Sequence, residues 1–309
     1  MVRTVIAGTR KSALALTQTE WVMEKLKPYV STWQMETEKI VTKGDKILHV
    51  TLSKVGGKGL FVKEIEQALL DKRVDFAVHS MKDLPGVMPE GLQIAAVTKR
   101  EDPHDVMVSE KYRTIKELPS GARVGTSSLR RQAQLLALRP DVVVEPVRGN
   151  INTRLAKLED GQFDAILLAA AGMRRMGWNE RIQEVISTDM MLPAVGQGAL
   201  AIQCRTDDIE VRDKLQNLND ESTARCVRAE RAFLHAFEGG CHLPIAGYAV
   251  EVGDQIRLVG LVTSPDGKTI FKGERLGRDE IEMGQQLALQ LKEEGAGALL
   301  NDVRKELDK

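Results

Sequence analysis

Residues 5–18 read VIAGTRKSALALTQ and residues 122–135 read ARVGTSSLRRQAQL. Each passes from the end of an apolar run through Gly-Thr into a basic helix start. The Val2–Ala7 stretch reads as a short buried strand and Gly8-Thr9-Arg10-Lys11-Ser12 as a turn. Ala13–Leu26 is a run of good helix formers stopped by Pro28. In the second copy Arg123-Val124 closes a strand, and Gly125-Thr126-Ser127-Ser128 is a turn with good N-cap residues. Leu129–Leu138 is then a helix ended by Pro140. This repeated grammar predicts two similar α/β lobes.

Outward from these stretches the alternation continues. Thr37–Thr42 and Val74–His79 read as strands, Phe61–Leu70 as an amphipathic helix, and Gly56-Gly57-Lys58-Gly59 as a flexible loop. In the second lobe Val142–Glu145 and the apolar Phe163–Ala171 read as strands around a helix at Ile151–Leu158. Strands alternating with helices imply a largely parallel sheet in each lobe. Two Pro-containing segments, Lys99–Pro103 and Leu192–Gly198, look like crossings between lobes, and the apolar Ala199–Cys204 strand reads as a return to the first. From Glu221 the pattern changes. A helix over Ser222–Phe237 leads to Glu238-Gly239-Gly240-Cys241. Two or three strands follow, with a hairpin turn at Pro265-Asp266-Gly267, then helices from Asp279 and Ala296. The expected domains are 1–98 with 199–217, 104–192, and a small α+β domain over 221–309.

With 309 residues the chain is long for one core. Forty-four basic residues balance forty-four acidic ones, which argues against a general nucleic-acid binder. The N-terminal apolar run is broken by Gly8, Arg10 and Lys11, a poor secretion signal, and the longest apolar run, Ala165–Met173, is too short to span a bilayer. A cytoplasmic protein is expected. Cys204, Cys226 and Cys241 form no metal or disulfide pattern.

Arg130 and Arg131 begin a helix, where the macrodipole disfavours cations, so a bound anion would reverse the balance. Arg10 and Lys11 repeat the arrangement. A solvated basic turn is the plainer alternative. Residues 104–192 hold ten arginines and three lysines. That bias suits bidentate recognition of a polycarboxylate or polyphosphate, although eleven acidic residues there also permit surface pairing. Asp83 follows an apolar strand, at the strand end where α/β sheets place ligands; it also reads as a turn aspartate before Pro85. Cys241 lies in a Gly-Gly loop rather than in a core, an unusual place for cysteine unless its thiol is used. Gly56–Gly59 and Gly267-Lys268-Thr269 do not satisfy the phosphate-loop pattern.

The ordered set GTRKS (8–12), VTKGD (41–45), LSKVGGKGLF (52–61), AVHSMKD (77–83), REDP (100–103), GTSSLRR (125–131), VRGN (147–150), LPAVGQG (192–198) and EGGC (238–241) resembles the porphobilinogen deaminase family over nearly the whole chain. The resemblance implies two lobes like those of periplasmic binding proteins plus the third domain. It implies a dipyrromethane cofactor joined by a thioether to Cys241. It also implies stepwise addition of four porphobilinogens, each losing ammonia, followed by hydrolytic release of the linear tetrapyrrole. By resemblance Asp83 is catalytic, its carboxylate stabilising the azafulvene cation left when ammonia departs. Cofactor contacts fall to Asp83, Lys82, Ser80, Thr126, Ser128, Arg130, Arg131, Arg148 and Gly172. Substrate contacts fall to Arg10, Ser12, Gln18, Lys54, Lys58, Arg148, Arg154, Arg175 and Gln197. No metal, nucleic acid or membrane partner is implied, and the protein is expected to be a monomer. His242-Leu243 departs from the usual family residues after the cysteine. The Lys43–Gly59 loop is a candidate cover for the site. The rivals are a two-lobed cytoplasmic anion sensor without catalysis, which would not need the Gly-Gly-Cys loop, and a phosphate transferase, which would need a phosphate loop or a metal motif.

Overall fold

Both repeated stretches fold as strand, turn and helix. In the computed structural model, which describes residues 2–46, 59, 61–240 and 243–307, β1 (Arg3–Arg10) leads into α1 (Ala13–Leu26). The Ser12 side chain caps α1 by accepting from Ala15 N at 3.4 Å. After β2 (Trp33–Ile40), the short α2 (Lys43–Lys46) and α3 (Lys63–Leu70) come β3 (Phe76–Ser80), β4 (Leu92–Val97) and β5 (Asp105–Val108). The second stretch is β6 (Arg123–Gly125) and α4 (Leu129–Leu138), capped by Ser128 accepting from Arg131 N at 3.4 Å. Then follow β7 (Val143–Glu145), α5 (Ile151–Glu159), β8 (Ala165–Ala169), α6 (Ala170–Arg175), β9 (Glu184–Ile186), β10 (Leu200–Arg205) and α7 (Ile209–Leu215).

Two strands differ from their expected bounds. The strand expected at 37–42 starts at Trp33, because as an edge strand it carries polar, mostly solvent-facing residues with little hydrophobic signal. The apolar 163–171 run stops being a strand at Ala169: Ala170-Ala171-Gly172-Met173 lacks β-branched residues, and alanine favours the helix that forms.

The chain gathers into two compact units. Among the described residues the first holds those up to Glu101 and from Ala199 to Ala224, the second those from Asp102 to Gly198 and from Arg225 on. The first unit carries a five-stranded sheet in the order β2-β1-β3-β10-β4. β1 is parallel to β2 and β3, while β10 is antiparallel to both its neighbours. The second unit repeats this as β7-β6-β8-β5-β9, with β5 the reversed strand. Each sheet is thus largely parallel, and its reversed strand follows one of the two crossing segments. One face of the first sheet buries Val5, Ala7, Phe76, Val78 and Ile202 with Val22 and Leu26 of α1. Arg205 at the end of β10 pairs with Asp75 and Asp208, both at 3.0 Å.

The second unit also contains a meander, β11 (Ile245–Val252), β12 (Gln255–Thr263) and β13 (Ile270–Gly277), antiparallel throughout. α8 (Glu221–Ala236), α9 (Glu280–Glu293) and α10 (Ala296–Leu307) contribute to its core, where Phe233, Leu258, Leu287 and Leu291 are buried. Phe233 packs so closely on β12 that a Cβ at Gly260 would sit 2.6 Å from its ring, which is why glycine stands there. The meander is tied to the second crossing by Gly247 N donating to Pro193 O at 3.1 Å and by Leu192 packing with Ala246 and Leu261.

Candidate functional site

The residues singled out from the sequence gather at one kind of place. Arg10 ends β1, and Ser80, Lys82 and Asp83 lie at and just past the end of β3. Thr126 and Ser128 follow β6, Arg148 follows β7, and Gly172 and Arg175 sit in α6 directly after β8. These are the carboxyl ends of adjacent parallel strands, where open α/β sheets take ligands because loops and helix starts there expose unpaired backbone donors.

In the first unit Gln18, buried on α1, donates from Nε2 to Ser80 Oγ at 3.2 Å, so two expected contact residues meet. Ser12 is engaged in capping α1. Arg10 lies beside Asp45, its Nε donating to Oδ1 at 3.2 Å, and its guanidinium stacks 4.2 Å above the Phe61 ring. Lys82 and Asp83 are half-buried in a single 3-10 turn, and no hydrogen bond or ion pair to the Asp83 carboxylate occurs among the described residues. Behind them His79 is buried, with Nε2 2.9 Å from Gln203 Oε1, and Gln203 Nε2 donates to Glu66 Oε1 at 3.2 Å. Burial pushes the His79 imidazole down to about 4, with the Gln203 bond opposing and the Arg10 charge assisting. The ring is therefore neutral, and Gln203 fixes it as the Nε2–H tautomer.

In the second unit the loops after β6 and β7 interlock. Thr126 N donates to Glu145 O at 2.9 Å, Ser127 Oγ to Val147 O at 2.8 Å, and Arg154 Nε to Gly149 O at 2.9 Å. Arg175 Nη2 donates to Gly198 O at 2.7 Å. Burial lowers the Arg148 pKa, the response of a cation that a carboxylate ligand would relieve. Hydroxyls, guanidiniums and backbone N–H groups dominate this set. Such donors fit the carboxylate side chains of a dipyrromethane. No group of three or more His, Cys, Asp or Glu positioned for a metal occurs among the described residues.

Three of the expected contact residues also bond within the chain. Arg130 and Arg131 share one carboxylate of the chain itself. Both are buried, and both hold Asp105: Arg130 Nη1 at 2.6 Å, Arg131 Nε at 2.9 Å and Arg131 Nη2 at 2.8 Å. Arg130 Nη1 also donates to Leu192 O and Arg131 Nη1 to Leu167 O. Gln197, expected at the substrate, is buried as well, its Nε2 donating to Pro103 O at 2.7 Å and Asp105 Oδ1 at 3.0 Å. It joins the two crossing segments. Burial would raise the Asp105 pKa, but the Arg130 and Arg131 charges outweigh it and hold the carboxyl well below its usual range. The sequence signal for Asp105 was a carboxylate opening the apolar strand Asp105-Val106-Met107-Val108, and for Asp45 only its place beside Gly44. The Asp102 carboxylate, bonded to His104 at 2.5 Å and Arg174 at 2.6 Å, further fixes the first crossing.

Lys54, Lys58, Cys241 and His242 lie outside the described residues, as does most of the Lys43–Gly59 loop. Among the described residues no helix is long and apolar enough to cross a membrane.

Comparison with known proteins agrees with this chemistry. Residues 5–213 match the family model described as porphobilinogen deaminase, dipyromethane cofactor binding domain, and residues 224–293 match the porphobilinogen deaminase C-terminal domain. Curated porphobilinogen deaminases of Bacillus velezensis and Geobacillus kaustophilus are 56% and 57% identical to this chain, each covering 99% of both proteins. Among solved structures, a periplasmic binding protein of Salmonella typhimurium aligns with 72% of this chain and 94% of its own, at 16% identity and a TM-score of 0.40. Full-length identity above one half, together with two family models that follow one another along the sequence, places this chain in the porphobilinogen deaminase family.

Proposed function

We propose that the chain polymerises porphobilinogen with Asp83 as its catalytic carboxylate and Cys241 as the attachment point of the dipyrromethane. The observation that carries the first assignment is the Asp83 carboxylate: half-buried in the turn that follows β3, with no hydrogen bond or ion pair among the described residues. As ammonia leaves porphobilinogen, positive charge develops on the pyrrole, and a fixed carboxylate facing the N–H stabilises it. The same oxygen accepts the proton lost when the new ring regains aromaticity. When bound, the dipyrromethane supplies the nucleophilic pyrrole carbon that starts the chain.

The remaining roles follow from charge. Every pyrrole brings an acetate and a propionate, and carboxylates taken out of water need cations and donors around them. Arg148, Arg154, Arg175 and Lys82 serve this need, with Thr126, Ser128 and the Gly172 backbone on the cofactor side. Arg10, Ser12 and Gln18 act on the substrate side, with Lys54 and Lys58. Arg130 and Arg131 contribute through Asp105, holding the turn that carries Thr126 and Ser128. We further propose three domains at 1–98 with 199–217, 104–192 and 221–309, a monomeric state and a cytoplasmic location. The separate sheets and cores support the division. A non-catalytic sensor is disfavoured because the matched family models are those of an enzyme.

The experiment is turnover of porphobilinogen by wild type and Asp83→Asn, with bound primer checked by intact mass. Loss of turnover with primer retained supports Asp83 as the catalytic group. Near-normal turnover rejects it.

A further inference from the structure

The seat of Arg10 is more elaborate than a substrate-binding cation requires. Asp45 lies in α2 and is itself held by Thr42, whose Oγ1 donates to Asp45 Oδ2 at 2.8 Å and whose N–H donates to the same oxygen at 3.3 Å. That carboxylate takes Nε and Nη2 of Arg10, one edge of the guanidinium fork. The Phe61 ring covers the guanidinium face at 4.2 Å. Phe61 is pressed against Gly44, where an added Cβ would fall 2.2 Å from the ring. Burial would raise the Asp45 pKa, but Arg10 and Thr42 outweigh it and keep the carboxyl below its usual range. The pair is only part-buried, with side chains 25% and 23% exposed, so it can open without a large desolvation cost.

We propose that Asp45 is an exchangeable internal carboxylate. It occupies Arg10 while the substrate position is empty and yields that edge of the guanidinium to an incoming pyrrole carboxylate. Phe61, backed by Gly44, keeps the guanidinium plane fixed during the exchange. The chemistry is like for like: a carboxylate on the Nε–Nη2 edge is replaced by another of the same charge and geometry. Arg10 therefore never faces the low-dielectric site unpaired, and the substrate binds less tightly than it would to a free arginine. Asp45 also gives the growing chain a competitor that helps Arg10 let go after each addition. Asp45 is thus a positioning and exchange residue, not a catalytic one. The inference rests on the proposed role of Arg10 in binding substrate.

The test compares porphobilinogen KM and kcat for wild type, Asp45→Asn, Asp45→Glu and Arg10→Gln, all as holoenzyme with primer confirmed by intact mass. Asparagine retains the Thr42 bonds but not the charge. It should lower KM by about two- to fivefold, the scale of one partly exposed ion pair, and lower kcat as release slows. Glutamate should move both constants back toward wild type. An unchanged or raised KM in Asp45→Asn, with Arg10→Gln raising KM strongly, would overturn exchange while leaving Arg10 a substrate residue. An unchanged KM in Arg10→Gln would overturn the substrate role of Arg10, and exchange with it. As a second arm, Gly44→Ala displaces Phe61 without altering charge and should raise KM; an unaltered KM would reject the seat.

Discussion

Asp105→Asn removes one negative charge and almost no volume from the most buried ion cluster of the second unit. Asp105 is fully buried and accepts from Arg130, Arg131 and Gln197 at 2.6–3.2 Å. An amide offers one acceptor oxygen where a carboxylate offers two, so its NH2 must face guanidinium N–H groups. Both arginines also lose their counter-charge. Removing one partner of a buried pair costs about 3–5 kcal/mol, which for a protein of this size lowers Tm by roughly 6–20 °C. Scanning calorimetry at neutral pH reads this directly. The pH dependence supplies a second reading. Because the folded pKa lies below the ordinary 3.8, the stabilisation is present above about pH 4 and drains away as pH falls through the folded value. Wild type should therefore converge on the variant in acid. A Tm within about 2 °C of wild type at pH 7, or a gap between the two that stays constant into acid, would refute the claim that this carboxylate is what holds Arg130 and Arg131.

Other consequences are as specific. Asp83→Asn should lower kcat by about 10²–10³, the scale of one lost electrostatic stabiliser, while Tm moves by less than about 1 °C; a matching loss of stability would mark the residue as structural. The His79 ring should stay neutral by NMR down to about pH 4. Its folded pKa is depressed, so its contribution to stability should decline as pH falls from about 6.5 toward about 4; titration near 6.5 would contradict the burial of the ring. Phe233→Ala should cost about 3–5 kcal/mol by chemical denaturation, since its ring is fully buried and closes on Gly260; a cost below about 1 kcal/mol would show that the core there is loosely packed.

Much of the architecture is legible in the residues because local and tertiary signals coincide. Ser128, the helix formers to Leu138 and Pro140 bound α4 at both ends, and Pro28 does the same service for α1. Legibility fails where they diverge. The polar β2 is a strand because β1 pairs along its whole length, which no local pattern records. Ala170 and Ala171 look like the end of β8 until the chain turns into α6. In the site, residue type indicates a taste for anions but not which anion satisfies it. The pairing of Arg130 and Arg131 with Asp105 spans 25 and 26 positions, and that of Arg10 with Asp45 spans 35. Contacts at that separation are products of folding, so helix-start electrostatics alone could not show the carboxylates that the chain itself supplies.

Everything proposed for the reaction depends on a covalent dipyrromethane on Cys241 that serves as primer. Intact mass under denaturing conditions, for wild type beside Cys241→Ser, tests it most directly. Wild type should carry an adduct of two deaminated porphobilinogen units, growing by single units when porphobilinogen is supplied, and the variant none. An adduct that persists in Cys241→Ser, or a wild type that stays unmodified and releases no tetrapyrrole after incubation with porphobilinogen, would contradict it.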